Sequence, residues 1–186
     1  AFLLLAMAWL YRAGGDDRVL RRAEETSAYL DARFSVTRDG GFDGYREQVS
    51  GQETAPGAEL PLPRRQNPHM HLLEAYLALY EASGEAQWLT QAGRMFDLFE
   101  RYFFDAARGQ LIEFFDRDWR ESPHEGRCLR EPGHHFEWTW LLHRYVTLSG
   151  DESAAAAMRP LFDWAWRHGI DRESAAPQVA FEELDP

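Results

Sequence analysis

The chain has 186 residues, 45% of them hydrophobic and 14% aromatic, including seven Trp. That supplies a core of ordinary domain size and excludes an intrinsically disordered segment. A net charge of −11 without a Lys/Arg-rich run disfavours nucleic-acid binding, and the single Cys128 excludes an internal disulfide and an all-cysteine zinc site.

The opening AFLLLAMAWLY lacks a basic leader and is too short to span a bilayer, so it reads as a first helix over 2–13. After a Gly-acid turn, a second helix is predicted over 17–34, with Val19, Leu20, Ala23, Leu30 and Phe34 at helical spacing. DGGFDGYREQV then combines turn glycines with the alternation of a short strand, and residues 50–66, rich in Gly and Pro, read as a loop. Helices three and four are predicted over 68–83 and 86–103, the fourth striped by Trp88, Leu89, Ala92, Phe96, Phe99 and Phe103. RGQLIEFFDRDW is a second strand-like stretch, and 117–133 a second long connection. Loops of this length in a compact domain are often functional. Helices five and six are predicted over 135–149 and 153–168. The chain starts at Ala1 rather than Met, and GIDRESAAPQVAFEELDP trails off where a further repeat would begin, so the sequence reads as a fragment of a longer protein.

Three copies of one pattern organise these elements: helix, Gly-acid turn, helix. They align on Gly15, Gly84 and Gly150, each followed by an acid, with separations of 69 and 66 residues. Each glycine suits a left-handed helix C-cap and each acid the start of the next helix. Hairpins stacked side by side would run their first helices parallel and gather the N-termini at one end. The period is nearly twice the roughly 34 residues of a tetratricopeptide repeat. The expected fold is therefore all-α: a partial (α/α)6 toroid built of helical hairpins, with short β-hairpin insertions, residues 1–186 forming a single domain.

Two of the first helices begin with polar chemistry. Asn67, His71 and Glu74 are spaced i, i+4, i+7 and share one face, with Asn67 as the expected N-cap and Pro68 in the first turn. In the second cluster His134 and Glu137 are i, i+3, Trp138 continues that side, and Gly133 leaves room for a close approach. His135 lies about 100° around the helix from His134 and serves a different purpose. His69 points away from the first cluster as a structural or exposed residue, and His143 and His168 are structural. Taken singly, each cluster also reads blandly, as a capped helix start with a stabilising polar pair. A metal site of His71, His134 and Glu137 is weighed and set aside, since no HExxH or comparably dense motif occurs.

Asn67-Pro68-His69-Met70-His71-Leu72-Leu73-Glu74-Ala75, with Gly133-His134-His135-Phe136-Glu137-Trp138, resembles the N-acylglucosamine 2-epimerase superfamily. The resemblance implies a six-hairpin barrel, of which this chain is the central part, and a sugar epimerase or aldose–ketose isomerase. It implies that Asn67 and His71 bind substrate, that His134 is one of two catalytic histidines and that Glu137 is its partnering acid. Glu74 and Trp138 complete the expected sugar contacts. The second histidine and a substrate-binding arginine lie outside the chain, and neither Arg64 nor Arg65 replaces that arginine. No cofactor, nucleic acid or membrane is expected as a partner; the location is a reducing cytoplasm, and the oligomeric state is left open, a dimer included.

The chemistry suits these residue types. The C2 proton of an open-chain aldose is acidified by the neighbouring carbonyl, and histidine titrates near working pH, at about 6.5. Mannose isomerisation is the favoured outcome, because NPHMH and HHFEW look closest to that branch. The rivals are a glycoside hydrolase using paired carboxylates among Asp116, Asp118, Glu131 and Glu137, and a non-catalytic helical scaffold.

Overall fold

A computed structural model describes residues 1–46 and 64–172, together with the backbone of 179–180. The chain divides into two compact units, Ala1–Leu98 and Phe99–Pro186.

The first unit holds α1 (Phe2–Gly14), α2 (Asp17–Phe34), β1 (Ser35–Arg38), β2 (Gly41–Tyr45), β3 (Arg64–Arg65), α3 (Asn67–Ser83) and α4 (Ala86–Leu98). Helix α1 packs on α2 and α3, and α3 packs on α4. Met70, Leu72, Leu73, Ala75, Tyr76, Leu77 and Leu79 of α3 are all buried, which makes it an interior helix, apolar nearly all round. Tyr76 stacks on Trp88 of α4. The strands β1 and β2 pair antiparallel behind α2. Buried Asp43 of β2 is held by Arg64 and Arg38 at 3.2 Å each, so Arg64 is a structural cation.

The second unit opens with a π-helical turn, Phe99–Phe103. It continues through β4 (Phe104–Asp105), β5 (Gln110–Leu111), β6 (Phe114–Phe115), α5 (Pro132–Ser149), a 3₁₀ turn (Glu152–Ala154), α6 (Ala155–His168), β7 (Ile170–Asp171) and β8 (Val179–Ala180). Helix α5 packs on α6, and β4 pairs antiparallel with β5. The core is aromatic: Trp138 stacks on Phe99 with ring centroids 4.5 Å apart, Phe103 packs tilted against Trp138 and Trp119, and Phe115 meets Trp119 edge to face.

The predicted turns are present. Gly15, Gly84 and Gly150 cap α1, α3 and α5 in the left-handed conformation, at φ 65°, 73° and 74°. Asp16 and Asp151 accept hydrogen bonds from the N–H two residues on and cap the following helices. Glu85 instead accepts from the indole N–H of Trp88. Both strand-like stretches form short antiparallel pairs, and a third pair, β7 with β8, follows α6.

Four boundaries differ from the sequence reading. Helix α4 ends at Leu98 and the last five residues of its predicted span are π-helical. Helix α5 begins at Pro132, three residues early, because proline's fixed φ and missing N–H suit a first turn. Residues 152–154 wind as 3₁₀ before α6 starts at Ala155. Gln66, not Asn67, holds the N-cap position of α3 and makes no side-chain cap there, so Asn67 lies inside the first turn. The loop expected over 50–66 falls outside the described residues except for 64–66. Among the described residues, no helix is long and apolar enough to cross a membrane.

Candidate active site

In the first unit, the start of α3 presents His71 and Glu74 one turn apart. His71 Nδ1 lies 3.4 Å from Glu74 Oε2, and both side chains are about one-fifth exposed. The Phe2 ring of α1 packs against the imidazole at 4.7 Å. The i, i+3 spacing read from the sequence therefore makes a real pair, half-buried and still open to solvent. Asn67 sits on the same helix start, half-buried.

In the second unit, His134 lies in the first turn of α5. Its Nδ1 is 2.9 Å from Glu113 Oε2 and its Nε2 is 3.3 Å from Glu131 Oε2. Glu113 is almost fully buried, and its other oxygen accepts the backbone N–H of Glu131, the N-cap residue of α5. The carboxylate is thus held by a helix N-terminus, where unpaired N–H groups favour negative charge. Burial alone would lower the His134 pKa. Hydrogen bonding to Glu113 and the charges of Glu113, Glu131 and Glu137 outweigh it and raise the pKa above the ordinary histidine value.

Glu113 and Glu131 thus lie within hydrogen-bonding reach of the ring, and Glu137 adds to the negative charge around it. Nothing in the spacing around His134 points to Glu113, which lies 21 residues upstream between β5 and β6. The only signal was the strand-like stretch that carries it. Among the described residues of this unit, Glu113, Glu131 and His134 are the one set of donor groups close enough to close on a cation, all within 4.8 Å. Both ring nitrogens are already within hydrogen-bonding reach of the carboxylates, so a protonated ring supplies the positive charge itself.

The surroundings of Trp138 and Gly133 complete this helix start. Trp138 is fully buried between Phe99 and Phe103, so its ring offers no face to a sugar; it sits a full turn below His134, on the side of α5 that meets the core. At Gly133 an added Cβ would meet nothing within 4 Å, so the fold itself places no steric demand for glycine there.

His69 and His135 are buried and structural, and they do the same thing. Each Nδ1 lies beside the carbonyl four residues earlier, Arg65 at 3.0 Å and Glu131 at 2.9 Å. Each Nε2 accepts a backbone N–H from the preceding ribbon, Tyr45 of β2 and Leu111 of β5, both at 2.9 Å. Accepting at Nε2 fixes the proton on Nδ1 and keeps the ring neutral. Burial accordingly lowers both pKa values to about 4. His143 and His168 are exposed.

The chain belongs to the N-acylglucosamine 2-epimerase (GlcNAc 2-epimerase) family, whose model matches residues 1–183. It is 43% identical over 173 residues to a mannose-6-phosphate isomerase of Rhizobium meliloti, covering 91% of this chain and 41% of that protein. It is 31% identical over 162 residues to a D-mannose isomerase of Pseudomonas cannabina pv. alisalensis, covering 78% of this chain and 37% of the relative. The structure of cellobiose 2-epimerase from Bacillus thermoamylovorans B4167 superposes with a TM-score of 0.82 at 19% identity, over 99% of this chain and 47% of that one. That likeness shows the fold, part of an (α/α)6 toroid of helical hairpins. The chain spans less than half the length of the relatives it matches.

Proposed function

We propose that the protein carrying this chain is a sugar isomerase or epimerase that moves a proton at C2 of an open-chain aldose, and that these residues form the central part of its barrel. The observation that carries the reading is His134, held at Nδ1 by buried Glu113 at a helix N-terminus. Nδ1–H stays on Glu113, which leaves Nε2 to take the C2 proton once Glu131, nearly one-third exposed, gives way. The same division of labour, with one nitrogen anchored by a carboxylate and the other reactive, underlies other histidine bases. Loss of the C2 proton puts negative charge on the carbonyl oxygen. Return of the proton to C1 yields a ketose, and return to the opposite face of C2 yields the epimer. Asn67, His71 and Glu74 are assigned to sugar hydroxyls, and Glu137 to a hydroxyl beside the ring of His134.

Mannose is the favoured substrate class, supported by the two isomerase relatives; cytoplasmic location is supported by a single cysteine that is free. The test is incubation of the full-length protein with mannose, and separately with mannose 6-phosphate, in D2O. Deuterium should appear at C1 of the ketose or C2 of the recovered aldose, and His134→Ala should cut the rate by about 10²–10⁴-fold. Because the base acts as the neutral ring, the rate should climb with pH through the raised pKa of His134. Absence of both exchange and interconversion with either sugar would overturn the proposal.

A further inference from the structure

The buried histidines His69 and His135 occupy equivalent places 66 residues apart, and the strand N–H that each accepts lies 24 residues upstream in both cases. The likeness extends to the neighbouring bond. The N–H of Arg46 donates to the carbonyl of Phe34 at the end of α2, and that of Ile112 to Phe103 at the end of the π turn. In each unit an imidazole therefore clasps a short ribbon to the start of the next helix. In the second unit an acid–base pair is strung between the clasped parts. Glu113 lies two residues beyond clasped Leu111, and His134 is the residue before His135.

We propose that His135 is a positioning residue for His134: its ring ties Leu111 to the Glu131 carbonyl at the start of α5, and so sets Glu113 where its carboxylate receives His134 Nδ1–H. This rests on the reading of His134 as the proton-transferring group. The physical need is plain. Glu113 lies just past a ribbon whose strands, β4 and β5, have two residues each. Such a ribbon has little rigidity of its own. A hydrogen bond between charged partners requires its carboxylate to stay within a few tenths of an ångström. The clasp anchors the β5 side of Glu113, two residues from the carboxylate, as the bond from the Ser122 N–H to the Phe114 carbonyl anchors the other side. The Trp164 ring, stacked on His135 at 4.4 Å, fixes the imidazole plane from the α6 side. The clasp acts on His134 through Glu113 and touches no reacting atom.

The experiment is a double-mutant cycle in the full-length protein, read as kcat and KM on whichever sugar it converts. His135→Leu keeps comparable volume and removes both hydrogen bonds. It should lower kcat by about 10–100-fold with little change in KM, the range for loss of a supporting partner. It should also move the rising limb of the pH profile to lower pH, as Glu113→Gln should. His135→Gln, whose amide offers one donor and one acceptor, should restore most of kcat. In the Glu113→Gln background, His135→Leu should cost little more, because its effect runs through that carboxylate. An equal cost in both backgrounds would overturn the proposal. Should His135→Leu fail to fold, a 15N–15N coupling across the hydrogen bond between the Leu111 amide and His135 Nε2 in the unmutated protein tests the clasp, and its absence overturns the proposal. Should the protein convert no sugar, the function reading fails alone; the same coupling, and the 15N shift of His134 Nδ1 in the His135 variants, still decide the clasp.

Discussion

His134 and His135 are neighbours in sequence with opposite acid–base character, and their surroundings account for it. Burial acts on both rings in the same direction. His134 meets three carboxylates and is driven up; His135 meets a carbonyl and an N–H and is driven to about 4. The roughly 100° between adjacent helical residues is enough to separate them, and that separation could be read from the sequence. The identity of their partners could not, because Glu113 and Leu111 arrive from a ribbon more than twenty residues upstream. Trp138 shows the converse limit: an aromatic near a polar helix start looks the same in sequence whether it lines a site or fills a core. Its burial predicts that Trp138→Phe retains most of the activity. Trp138→Ala should cost about 3–5 kcal/mol of stability by urea denaturation. A Trp138→Phe variant that folds normally but loses sugar affinity would restore the discarded sugar contact.

At the scale of the element, the legible features were those with local chemistry. Three glycines with positive φ and the acids that follow them mark the hairpin turns, and the apolar stripes mark α2 and α4. Helix starts were less legible. Pro132 reads in sequence as the end of a loop although proline is favoured in a first turn, which puts His134 before the predicted helix and not within it. The turn between α6 and β7 explains why that start is well fixed. A Cβ on Gly169, at φ −90°, would come within 2.3 Å of Pro132 Cβ and 2.8 Å of the Ala165 carbonyl oxygen. Glycine is needed there for close approach. Gly169→Ala should destabilise by about 1–3 kcal/mol and, by pushing on the residue that opens α5, lower kcat as well. A urea midpoint equal to that of the unmutated protein would contradict the close approach. The π turn at Phe99–Phe103 left no sequence signal, since its apolar spacing matches an α-helical stripe.

At the scale of the whole molecule, the repeat was the most legible feature of all, and it carried the fold class, the hairpin order and the strand insertions. The clasps were not legible, because a buried neutral histidine looks like any other until its acceptor and donor are known. They have a consequence for stability against pH. For His69 and His135 the native pKa, about 4, lies below the unfolded value of about 6.5. As pH falls below 6.5 the unfolded chain takes up protons that the native rings refuse. Stability therefore falls until the native rings also protonate near 4, by roughly 3 kcal/mol per histidine. His134, whose pKa is raised, works in the opposite sense: its contribution is complete below the unfolded value and is lost as pH rises through the native one. Urea midpoints measured from pH 4 to pH 8 should fall steeply on the acid side. The pair of changes His69→Gln and His135→Gln should flatten that limb; an unchanged slope would show that other groups govern it.

The clasped N–H groups of Tyr45 and Leu111 point away from the partner strands of their two-stranded ribbons. Both contacts are buried, so without its imidazole each donor would be sealed from water with no acceptor. The same contact that steadies the ribbon therefore settles a hydrogen-bonding debt that its own ladder leaves open.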